Sequence, residues 1–359
     1  MSAALRRPPA ASPLPLLLAG GAALLAGLLA GAARLGWANP AAGLAEVHGP
    51  LMVCGFFGTV IGVERAVALG RPWAYGAPLA TAIGGVLLIA GFIPAGAAAM
   101  ALGSLVFLAG ALAVLRRQPA LFTAVLASGA AFWAAGTGLW LAGGTVSGVV
   151  PLWAAFLVLT IAGERLELSR FLPPWRWRAP SLLAALSVLG AGAALAAAGR
   201  EPAWPVVGLG LLLLSAWCAR NDIARRTAGQ PGLTGYVAAC VLSAYVWLAT
   251  AGLLAGLLPV GESGPLYDAT LHALFVGFVF AMVFGHAPVI LPAVAGLRLP
   301  FQSFFYVPLA ALHLSLVLRL TGDLAGLPEL RAWGGLANAL TIALFIATLV
   351  VTTLRGRRR

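Results

Sequence analysis

Apolar stretches of about 20 residues recur along this chain, broken by short clusters of Arg, Pro and Gly. A helix of that length rises about 30 Å, the thickness of a bilayer's hydrocarbon. A membrane β-barrel would instead show short segments alternating with a period of two. The breaks predict twelve helices, at roughly 13–36, 44–69, 76–95, 96–115, 119–143, 147–169, 180–199, 203–219, 233–258, 265–294, 301–320 and 332–354. The expected fold class is therefore all-α, a polytopic membrane protein forming one integral membrane domain over 1–359. The first stretch follows Arg6-Arg7 and is too long for a signal peptide's apolar region, so it reads as a membrane helix. The longest connection, Arg170 to Pro180, is basic and Trp-rich and suits the headgroup layer.

Arginine placement tests the helix count. The 22 basic residues are all Arg. With the N-terminus cytoplasmic, only Arg34, Arg200, Arg319 and Arg331 fall outside, leaving eighteen inside. The positive-inside rule thus supports twelve spans with both termini cytoplasmic, in a bacterial inner membrane. The net charge of +12 is scattered between apolar spans and reads as a topology signal, with no nucleic-acid partner expected. Lipid is the expected surrounding. Cys54, Cys218 and Cys240 are far apart and form no CxxC or CxxCH motif, so no disulfide framework, zinc signature or c-type haem attachment is expected.

A weak internal repeat is visible. Span 2 ends Gly62-Val63-Glu64-Arg65, and span 6 ends Ala162-Gly163-Glu164-Arg165. Spans 2 and 10 share an early His followed by a Gly- and Phe-rich body, His48 to Gly58 and His272 to Phe278. A spacing of four helices suggests three four-helix units about a pseudo-threefold axis; chance similarity among Gly- and Ala-rich helices is the alternative.

All four histidines, His48, His272, His286 and His313, lie inside predicted spans, where ionisable groups are costly and mark function. His48, His272 and His313 fall on three helices within the outer third of the membrane, a candidate metal site. His286 lies about 21 Å further along span 10 than His272, so one metal cannot hold both. It shares the inner third with Glu64 and Glu164, a possible inner polar site. Pro288 and Pro292 are expected to kink or end the helix after it. Asp268, one turn before His272, could fix that ring's tautomer or serve as a helix N-terminal carboxylate. Structural readings remain open for all of these. A membrane His can bond a neighbouring carbonyl, and the Glu-Arg pairs can cap helix ends.

A haem b between membrane helices needs two imidazoles at equal depth, small residues to admit the porphyrin and aromatics to cover it. Span 2 offers His48 with Gly49, Gly55, Gly58, Phe56 and Phe57. Span 10 offers His272 with Gly277, Phe275, Phe278 and Phe280.

With twelve spans, His48 early in span 2, and Leu271-His272-Ala273-Leu274, Gly277 and Gly285-His286 in span 10, the chain resembles the NnrS family of haem-containing membrane proteins. That resemblance implies a haem and a link to nitric oxide or respiratory redox metabolism, with a redox partner or a small gas ligand such as NO. The layout is also similar to the catalytic subunit of haem–copper oxidases, which implies low-spin haem ligation by His48 and His272. Spans 6 and 7 hold no histidine and position 274 is Leu, so a binuclear centre and copper are not expected.

Two other classes stay open. A proton-coupled secondary transporter would use Glu64, Glu164 and His286. A ligand-free assembly or scaffold protein would use the histidines structurally. No nucleophile–base pair or soluble-cofactor fingerprint is present, which weighs against a self-contained enzyme and leaves the haem reading as one of electron transfer or ligand binding.

Overall fold

The structure, a computed structural model, describes residues 12–357. Arg6, Arg7, Arg358 and Arg359, counted above for topology, lie outside the described residues. Twelve helices are long and apolar enough to cross a membrane, and no strand occurs among the described residues. They are α1 (Leu14–Arg34), α2 (Ala42–Leu69), α3 (Pro72–Ile89), α4 (Ile93–Arg117), α5 (Leu121–Leu141), α6 (Val146–Phe171), α7 (Arg178–Ala197), α8 (Ala203–Asn221), α9 (Gly232–Leu257), α10 (Pro265–Ala295), α11 (Ser303–Leu324) and α12 (Pro328–Gly356). The chain is an all-α polytopic membrane protein.

Every fourth helix, starting from the second, moves to the centre, so α2, α6 and α10 touch one another pairwise. The rest surround them, with α4 against α5, α8 against α9, and α12 closing back on α1. Burial follows this order: 61% of the apolar stretch of α2, 78% of that of α6 and 61% of that of α10 is buried, against 28% in the peripheral α4. The side chains this leaves exposed are large and apolar, such as Leu102, Val246, Leu257 and Leu314, as a lipid-facing surface requires.

Close approach relies on small residues, because lipid is as apolar as leucine and gives helices no hydrophobic reason to associate. At α8 against α9, a Cβ on Gly208 would sit 2.7 Å from both the Gly252 carbonyl oxygen and the Gly256 Cα. The centre is filled by rings. Trp133 of α5 stacks on Phe156 of α6 at 4.7 Å, and its indole N–H donates to Cys54 Sγ of α2 at 3.4 Å. All three cysteines are free and buried.

One boundary differs clearly from the sequence reading. The break expected at 95/96 falls at Ala90-Gly91-Phe92 instead. Gly91 takes a left-handed φ of 84°, and the N–H groups of Gly91 and Phe92 return to the carbonyls of Leu88 and Leu87. That closes α3 with a paired C-terminal cap, and Pro94 then sits in the first turn of α4, where its missing N–H removes no helical bond. The end of α10 agrees with the span read from the sequence: of the two outcomes expected for Pro288 and Pro292, neither proline ends the helix, which continues through both to Ala295 and stops at Gly296, again left-handed. Each proline removes one N–H, and the carbonyls this frees leave the rest of the ladder intact.

Candidate functional site

α2 and α10 run in the same direction and meet in register. His48 faces His272 with ring centroids 6.5 Å apart and planes 17° apart. Eight residues further along each helix, Phe56 faces Phe280 at 6.0 Å and 7°. Two layers of parallel rings therefore line the contact.

Both helices change form between the layers. Leu51–Phe57 and Ala273–Phe280 are π-helical, beginning just after each histidine. Such segments are uncommon and concentrate at functional sites. No residue pattern announced them.

Each imidazole is held by its Nδ1. His48 Nδ1 donates to the Gly27 carbonyl of α1 at 2.7 Å, and His272 Nδ1 to the Asp268 carbonyl at 2.7 Å. A carbonyl can only accept, so Nδ1 carries the proton in both rings and Nε2 keeps its lone pair. Among the described residues neither Nε2 has a hydrogen-bond partner. α1 comes close here: a Cβ on Gly31 would lie 2.8 Å from His48 Cε1.

Behind His272 lies an ionic cluster that sequence reasoning missed. The Asp268 carboxylate is 3.3 Å from His272 Nδ1, accepts from Arg319 at 2.8 and 3.1 Å, and lies 3.4 Å from Arg331. Arg331 also pairs with Asp323 at 2.8 Å. Two carboxylates thus balance two guanidiniums. Asp268 occupies the first turn of its helix, and its backbone carbonyl, with the carboxylate 3.3 Å away, takes the ring's hydrogen bond. Arg319 and Arg331 had read only as topology signals. The available clue was Arg319 inside an apolar span, four residues before Asp323 on the same helix; it is 7% exposed.

His313 does not join the pair. Its Nδ1 accepts from the Trp247 indole at 2.9 Å and its Nε2 bonds Ser243 Oγ at 3.0 Å, both on α9. The depth inferred for it is compatible, since Arg319, six residues on, is level with Asp268. It faces a different neighbour, so the expected three-histidine site does not form. No group of three or more His, Cys, Asp or Glu able to hold a metal occurs among the described residues.

The glycines expected to admit a flat ring are also used elsewhere. Gly55 lies against Ala23, Gly58 lies under the Trp133 ring, and Gly277 lies under Trp247. They serve the packing of α2 on α1 and α5 and of α10 on α9.

The inner polar residues do converge. Beyond the Phe56–Phe280 layer a cavity of about 270 Å³ opens, with Glu64, Glu164, Arg165 and His286 among its walls. One Glu-Arg pair crosses between helices: Arg65 of α2 bonds Glu164 of α6. Arg165, 5% exposed, donates to His286 Nε2 at 2.8 Å and lies 3.9 Å from Asp222. His286 Nδ1 donates to the Met282 carbonyl at 2.6 Å, and Tyr245 donates to Asp222 at 2.5 Å. The three central helices are thus tied together at this end by charge.

Fold and site together define a membrane bundle whose central helices present two facing imidazoles at one depth and a charged network at the other. The chain belongs to the family described as "Domain of unknown function (DUF8744)", which matches residues 13–354. No curated protein and no solved structure matches it.

Proposed function

We propose that the protein binds a haem b through His48 and His272, as an NnrS-like membrane protein linked to nitric oxide or respiratory redox metabolism. One observation carries this reading: the 6.5 Å, near-parallel imidazole pair with both Nδ1 atoms occupied. Two metal–imidazole bonds of about 2 Å, plus about 1.1 Å from each nitrogen to its ring centre, give about 6.2 Å between centroids when both Nε2 atoms point at one metal. Two ligands suffice for a haem, whereas a structural zinc needs four. The haem would supply one-electron chemistry or a gas-binding iron. The protein's part is to fix both tautomers, and the Asp268 carboxylate makes His272 the more electron-rich ligand. The arginine asymmetry supports an imidazole layer towards the outside of a bacterial inner membrane, with both termini in the cytoplasm.

Absorption spectra of the detergent-purified protein, oxidised and dithionite-reduced, test the proposal. A Soret band with sharp reduced α and β bands is expected. It should vanish in the His48→Ala, His272→Ala double variant and persist in His313→Phe. A featureless spectrum from protein made with ample haem overturns the assignment. The cavity beside Glu64 and His286 favours a second reading, proton-coupled transport; a pH-gradient-driven flux abolished by Glu64→Gln in haem-free protein would replace the first.

A further inference from the structure

At the bundle end that carries Glu64, α7 begins, α8 ends and α9 begins. A hollow of about 550 Å³ lies there, with Trp175, Arg178, Arg220, Arg225 and Arg226 in its walls. A second, adjoining hollow runs up the α8–α9 face over Ala216, Ala219, Val246 and Ala249, and Arg220 and Arg225 line both. The small side chains of α8 and α9 open this groove, and Val246, 64% exposed, opens it sideways to lipid.

The charges are unbalanced. Arg178 is engaged, donating to Asn221 and to the carbonyls of Ser169 and Pro173. Arg220 lies over the Trp175 ring at 4.4 Å. Among the described residues Arg220, Arg225 and Arg226 have no carboxylate partner. Asp222, the acid nearest in sequence, is 2% exposed and already committed. It accepts from the Ala224 N–H at 2.7 Å and from Tyr245, and so fixes the turn that presents Arg225 and Arg226.

We propose that the two hollows form one binding site for an anionic phospholipid. The phosphate lies among Arg220, Arg225 and Arg226, and an acyl chain lies in the α8–α9 groove. Guanidinium forks match phosphate oxygens, and the groove starts where a headgroup ends. A zwitterionic lipid would bring its ammonium against the same arginines.

Native mass spectrometry of the full chain, with dioleoyl phosphatidylglycerol or dioleoyl phosphatidylcholine added to the detergent, tests this. Preferential retention of phosphatidylglycerol is expected. The Arg220→Gln, Arg225→Gln variant should weaken it roughly thirtyfold and leave phosphatidylcholine unchanged. Arg116→Gln, Arg117→Gln, at the same bundle end but away from the site, should behave as wild type. Ala249→Trp fills the groove without changing charge and should also release the lipid; it decides the matter if the arginine variant does not fold. Equal retention of both lipids, an unaffected groove variant, or complete displacement by millimolar inorganic phosphate overturns the proposal.

Discussion

Asp268→Asn probes the ionic cluster behind His272 most directly. In the native protein Asp268 and Asp323 balance Arg319 and Arg331, so the variant leaves one net positive charge in the membrane domain. The Arg319 side chain is only 8% exposed, and Asp268 16%. Removing one partner of a buried ion pair costs about 3–5 kcal/mol. The asparagine oxygen still accepts one bond and Asp268 is not fully dry, so a loss of about 2–3 kcal/mol is expected. Denaturant unfolding in detergent, followed by tryptophan fluorescence, reads it. Arg319→Gln combined with Asp268→Asn should cost less than the two single losses added together, since each removes the other's uncompensated charge. A single variant within about 0.5 kcal/mol of wild type, or strict additivity, would refute the claim that Asp268 neutralises Arg319. If haem is bound as proposed, the same variant should weaken its retention about tenfold or more.

The inner network gives a second contrast. Arg165→Gln leaves Asp222 and His286 without their cation and should destabilise by about 3 kcal/mol in the same assay, whereas Arg65→Gln, whose pair with Glu164 is about 30% exposed, should cost under about 1 kcal/mol. Similar losses would show that burial does not separate the two pairs. Gly58→Ala places a Cβ 2.5 Å from the Trp133 ring, which is wedged against Phe156, and should cost about 1–3 kcal/mol; a neutral result would mean that the ring moves freely.

Hydropathy and arginine spacing made the helix count legible, because a membrane demands long apolar runs with charges between them. The likeness of spans 2, 6 and 10, the three that become central, was also legible, through Glu64-Arg65, Glu164-Arg165 and the two early histidines, although the cross-helix bond of Arg65 to Glu164 was not. His48 and His272 could be placed at one depth from helix direction and rise alone. His313 could not be excluded that way, since depth says nothing about which neighbour a ring faces, and here α9 offers Trp247 and Ser243. The glycines of α2 and α10 misled for the same reason: a missing Cβ signals close approach without naming what approaches. Arg319, Arg331 and Asp222 were hidden because their partners are remote in sequence. The π-helical segments depend on backbone hydrogen-bond choice, to which side-chain pattern is nearly blind.

Those two segments also govern rotational phase. In α2 and α10 alike, the π-helical stretch separates the imidazole from the far, charged half of the helix. A π turn takes in about one residue more than an α turn, so each stretch carries a residue that a continuous α-helix would not need. Deleting one residue there, so that the backbone reverts to α-helix, would leave the imidazole and the charged half close to their present phase. The same deletion elsewhere between them would turn one against the other by about 100°. Each central helix therefore has one short stretch that can absorb a lost residue, and the two ends of the molecule stay aligned only if a length change falls there.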